Sequence, residues 1–181
     1  LGDTQRRLGK SEKAVASLQD SINLFPQGRM AVEARFGLAQ ATEAAGDSEK
    51  ALLLYREAAK SSPENRGDAA QLAIANLLFS QRKFQQAVDE YEAVGTRFPK
   101  SRLRSLATLN AGFAHYQNND FSNALAKFNE AETNQKQTVT AGYWKGLTLK
   151  ALRDYSGAAE VLINVEEKAG DQAIAESVVY Q

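Results

Sequence analysis

The chain has no cysteine among its 181 residues, which excludes disulfides and thiolate chemistry and leaves the compartment open. It has a single histidine, His115, so His and Cys cannot assemble a zinc site. Charge of one sign is also lacking. With 22 basic and 22 acidic side chains the net charge is zero, which argues against a nucleic-acid partner, since that needs a basic surface. No apolar run approaches the roughly 20 residues needed to cross a bilayer. There is no Gly-rich loop ending in Lys-Ser or Lys-Thr to cradle phosphate. The carboxylates are scattered, and the adjacent Glu166 and Glu167 point in different directions on a helix. These absences leave no catalytic set. The expectation is a segment without enzymatic activity, metal, cofactor or small-molecule substrate.

What is present is a repeat. Hydrophobic residues make up 43% and charged residues 24%, the balance of a foldable chain. The opening LGDTQRRLGKSEKA (1–14) returns as LAQATEAAGDSEKA (38–51), IANLLFSQRKFQQA (74–87), AGFAHYQNNDFSNA (111–124) and KGLTLKALRDYSGA (145–158). Each window ends in alanine: Ala14, Ala51, Ala87, Ala124 and Ala158, spaced 37, 36, 37 and 34 residues apart. Its second residue is small: Gly2, Ala39, Ala75, Gly112 or Gly146. Four residues after the alanine stands a large apolar residue: Leu18, Tyr55, Tyr91, Phe128 or Leu162. Seven residues after it comes a small or β-branched one: Ser21, Ala58, Val94, Ala131 or Val165.

Spacings of three, four and seven place residues on one helical face. Small residues let two helices approach closely, and the large one fills the space beside them. Stretches such as AAGDSEK and NNDFSN read as turns between paired helices. Pro26, Pro63 and Pro99 follow the second helix in three units. Asp68 with Gln71 fits a capping box opening the third unit. The pattern predicts an all-α chain of helices of about 12 to 16 residues.

On these residues the chain resembles the tetratricopeptide repeat family, helix-turn-helix units with a period of about 34 residues. The fullest unit is 32–65, where Leu38, Ala39, Gly46, Asp47, Ala51, Tyr55, Ala58 and Pro63 fall on the family's positions. The large residue early in the first helix is replaced by Arg35, Gln71 and Thr108, and Lys145, beside Trp144, stands where leucine is usual. The resemblance implies a right-handed α-solenoid of about four and a half units. Their expected bounds are 1–31 (partial), 32–67, 68–104, 105–138, 139–172 and 173–181 (partial). Both ends read as cuts from a longer array, with 171–181 opening another first helix. FPQG (25–28) and FPKS (98–101) resemble the repeats of bacterial envelope proteins, which implies a periplasmic or envelope location, with the cytoplasm as alternative.

The resemblance also implies a function: binding a protein or peptide segment on the concave face lined by the first helices. Carried over unit by unit, that face holds Phe36, Gln40, Leu72, Asn76, Phe79, Leu109, Asn110, Phe113, Tyr116, Tyr143 and Leu147. Phe36, Leu72 and Leu109 stand where a carboxylate clamp would need lysine, so an apolar segment is the expected occupant. His115 takes a position usually filled by a packed tyrosine and reads as a packed or hydrogen-bonded residue. Arg97, Lys100, Arg102 and Arg104 form a basic run without an acid, read either as a solvated turn or as a docking patch, with Arg102 and Arg104 steering an acidic flank. The alternatives to a binding scaffold are a structural or self-assembling spacer, associating through exposed repeat ends, and the accessory domain of an enzyme.

Overall fold

The computed structural model describes residues 2–24, 29–60, 66–134 and 137–179, and within these it is helical with no strand. It divides into two compact units, Leu1–Leu103 and Arg104–Gln181. The first holds α1 (Gly2–Leu24), α2 (Arg29–Ala44), α3 (Ser48–Ala58), α4 (Gly67–Ser80) and α5 (Phe84–Arg97). The second holds α6 (Arg104–Gln117), α7 (Phe121–Glu132), α8 (Thr138–Ala151) and α9 (Tyr155–Val179). In each unit every helix packs on the next along the chain.

Four hairpins, α2–α3, α4–α5, α6–α7 and α8–α9, share one turn. Gly46, Arg82, Asn119 and Arg153 all take the left-handed conformation, at φ of 93°, 60°, 60° and 66°. The following N–H, of Asp47, Lys83, Asp120 or Asp154, donates back to the carbonyl of Thr42, Leu78, His115 or Leu149 at 2.9 to 3.2 Å. This closes the first helix and satisfies a carbonyl that would otherwise be orphaned. The second helix is then capped by aspartate in three hairpins. Asp47 accepts from Lys50 N–H at 3.0 Å, Asp120 from Asn123 N–H at 3.3 Å and Asp154 from Gly157 N–H at 2.9 Å. Lys83 fills that place in the fourth and makes no side-chain cap.

The small-against-large pattern is the core. Ala51, Ala87 and Ala124 are fully buried, and Ala158 nearly so. A Cβ added at Gly112 would sit 2.7 Å from the Phe128 ring, and one at Gly146 would sit 2.6 Å from Leu162. The first helix of each of these pairs therefore rests its backbone directly on the large residue of the second. Where that residue is tyrosine, its hydroxyl is satisfied on the first helix. Tyr55 donates to Glu43 at 2.6 Å and Tyr91 to Asn76 at 2.7 Å. Burial, reinforced by the Glu43 carboxylate, pushes the Tyr55 phenol well above its ordinary range.

Three expectations are corrected. α1 runs through Gly9, the counterpart of Gly46, without a turn. Nothing lies within 4 Å of where a Gly9 Cβ would be, so no packed neighbour forces a bend there. α9 likewise continues to Val179 instead of breaking before 173, since no proline interrupts it and helix satisfies the backbone locally. Gln71 does not close a capping box. It is fully buried, and its amide nitrogen donates to the carbonyl and carboxylate of Glu90 while its oxygen accepts from Arg97. Pro26, Pro63 and the whole of FPQG lie outside the described residues. Pro99 stands two residues beyond the end of α5, as expected.

Candidate functional site

The residues expected on a binding face fall in both units. In the first, Phe36 is half-buried, its ring 5.8 Å from that of Tyr55, with the Arg66 guanidinium 5.9 Å above it. Asn76 is exposed but takes the Tyr91 hydrogen bond. Phe79 meets Phe84 edge-on at 5.4 Å, so it covers the α4–α5 turn. Leu72 is buried and leaves the face. Gln40 is exposed. The first unit thus presents a polar surface with half-covered rings.

In the second unit α6 and α8 build an aromatic platform around Trp144. Its ring lies 5.1 Å from Phe113, 5.3 Å from Tyr116, 6.4 Å from Phe128 and 6.1 Å from Tyr143. Phe113 in turn lies 5.5 Å from Phe128, and Tyr116 meets Phe121 at 5.4 Å. Most of these contacts are edge-to-face, a geometry that aromatic pairs favour. Phe128 is the buried floor, while Phe113, Tyr116 and Trp144 are half-covered. Tyr143 stands on the edge of the platform, 48% exposed. Leu109 is buried beneath it, and Asn110 and Leu147 are half-buried. Trp144 is the residue missed in the sequence. Its signals were its being the sole tryptophan and its place beside Tyr143 on the first helix of a unit.

The basic run separates. Arg97, itself exposed, donates to the Ala59 carbonyl at 2.9 Å as well as to Gln71, so it ties the end of α5 to the end of α3. Lys100, Arg102 and Arg104 are exposed. Arg104 lines a small cleft of about 290 Å³ together with Glu130. Arg102 and Arg104 fall on either side of the unit boundary.

His115 is buried, with Nδ1 3.1 Å from the Asp120 carboxylate. It is the packed, hydrogen-bonded residue its position suggested. Asn123, through its side-chain amide and then its N–H, holds Asp120 below the usual carboxylate range, with a smaller contribution from His115. Lys145, at the leucine position, is matched by Glu132, which accepts from it at 3.1 Å. Among the described residues no group of three or more His, Asp or Glu side chains is placed to hold a metal ion. No described helix is long and apolar enough to cross a membrane.

Residues 1–66 and 72–138 match the tetratricopeptide repeat family. The chain belongs to that family. Its fold is similar to solved tetratricopeptide structures at low sequence identity. A chain of nearly identical TPR-like repeats from Podosopora anserina has a TM-score of 0.68 at 16% identity, covering 93% of this chain and 92% of that one. MamA has a TM-score of 0.74 at 15% identity, with 96% of each chain covered. MamA from Desulfovibrio magneticus RS-1 gives 0.71 at 18%, covering 94% and 93%. Among curated proteins none matches the chain by sequence. A tetratricopeptide fold is in general a scaffold for protein–protein interaction, and such repeats are in general non-catalytic.

Proposed function

We propose that the chain is a non-catalytic scaffold that captures a partner segment on the first helices of its repeats, with the α6–α8 platform as the principal seat. The observation that carries this reading is Tyr143, half-exposed and set edge-on against Trp144, whose ring also meets Phe113, Tyr116 and Phe128. A large ring held in place loses little entropy on binding, and such residues recur as interface anchors. Phe113, Tyr116 and Trp144 supply apolar area beside it. Phe36, Asn76, Phe79 and Asn110 play a lesser part, since Phe79 packs on its own turn and Asn76 is engaged by Tyr91. Arg102 and Arg104 act on association rate, through long-range attraction of an acidic flank.

The test uses peptides selected by display against the whole chain. Trp144 is the only tryptophan, so its emission reports on this platform alone. Tyr143→Ala is expected to weaken selected peptides about tenfold or more, the 1.4 kcal/mol of a binding anchor, with an unchanged melting temperature. Tyr116→Ala is expected to lower melting as well, because Tyr116 packs on Phe121 and Trp144. Peptides that bind Tyr143→Ala as tightly as wild type, without changing Trp144 emission, would refute the reading.

A further inference from the structure

α6 and α8 contain no acidic residue, and apart from His115 their titratable cations are Arg104, Lys145 and Lys150. Lys145 is turned to Glu132, and Arg104 shares its cleft with Glu130. Lys150 is exposed on the same helical row as Tyr143 and Leu147, four and seven residues after Tyr143, and exposed Arg153 follows in the turn. This face is apolar along its length and cationic at one end.

The outer side of α9 has the complementary character. Its inner side packs on α8, with Leu162 against Gly146 and Val165 against Gly142. Its outer side exposes Tyr155 at 65% and Ile163 at 59%, with exposed Ala159 between them at four-residue spacing. Glu160, Glu166 and Glu167, all exposed, flank that row. The row points away from the α8 it is built on, so it cannot reach the α6–α8 face of its own chain. Two α9 rows facing one another would set carboxylates against carboxylates.

We infer that the outer row of α9 docks on the α6–α8 face of a second copy of this chain. The inference rests on reading that face as a docking surface and names its occupant. The contact joins two different surfaces, so it propagates into open chains of molecules rather than closing as a symmetric pair. Three apolar side chains bury far less than the roughly 1,200 Å² of a standard interface, so the association is weak and depends on charge.

Sedimentation of the whole chain tests it, from about 10 μM to about 1 mM, a range suited to weak interfaces. The average mass should climb past the dimer with concentration at about 0.05 M salt and stay monomeric at about 0.5 M. Lys150→Glu and Glu167→Lys should each weaken association at least about threefold, and a mixture of the two variants should associate in alternation toward wild type, because each row then meets a face of opposite charge. Combining both changes in one chain exchanges the signs and should restore association toward wild type. Circular dichroism checks that the exposed substitutions leave helicity intact. A chain that stays monomeric throughout, a closed dimer, or association indifferent to both substitutions overturns the inference. If that happens while Tyr143→Ala still weakens display-selected peptides, the partner-binding reading stands without self-docking.

Discussion

Lys83 occupies the place that Asp47, Asp120 and Asp154 fill in the other hairpins. Those aspartates accept a backbone N–H of the second helix, whereas Lys83 makes no cap and sets a cation at the positive end of α5. Lys83→Asp is expected to raise stability by about 1 kcal/mol, seen as a higher urea midpoint. A lower midpoint would mean that the lysine makes a contact more valuable than the cap. Glycine gives a test of sign. In an open helix Gly→Ala gains up to about 1 kcal/mol, which is the expectation for Gly9, where nothing lies within 4 Å. At Gly112 the same methyl would meet the Phe128 ring at 2.7 Å, so Gly112→Ala should lower the melting temperature. Equal effects at both sites would contradict the close crossing of α6 and α7.

At the scale of elements, each hairpin is specified by a short set of residues that act together: a left-handed residue, a cap, a buried alanine and a large apolar partner. Ala87 is fully buried between α4 and α5, and Ala87→Leu should overpack the pair and cost about 1 to 3 kcal/mol. An unchanged denaturation midpoint would place the helices in another register. These hairpins were legible in the sequence because their determinants are local and periodic. The long helices α1 and α9 were not, because a turn signal such as Gly9 bends the chain only where a neighbouring helix demands it. The partners of Gln71 and Arg97 were not legible for a related reason. A capping box and a basic run are patterns of nearby residues, but Gln71 is claimed by Glu90 and Arg97, and Arg97 by Ala59, thirty-eight residues away in sequence.

At the scale of the whole molecule, the two units offer different surfaces. In the first, Phe36 and Phe79 pack largely on their own hairpins and Asn76 is engaged by Tyr91. In the second, Phe113, Tyr116, Trp144 and Tyr143 gather on α6 and α8, and these helices carry no acid. Position in the repeat was enough to nominate Phe113, Tyr116 and Tyr143. It could not rank them, because burial depends on Trp144, a long-range partner that the repeat pattern does not specify. The central claim, that α6 and α8 carry the binding face, is tested most directly by amide chemical shifts of the whole chain during titration with a display-selected peptide. The expected result is that the largest changes fall on α6 and α8 around Phe113, Tyr143 and Lys150, with α7 and the first unit little affected. Changes confined to α2 and α4, or spread evenly over the chain, would contradict it.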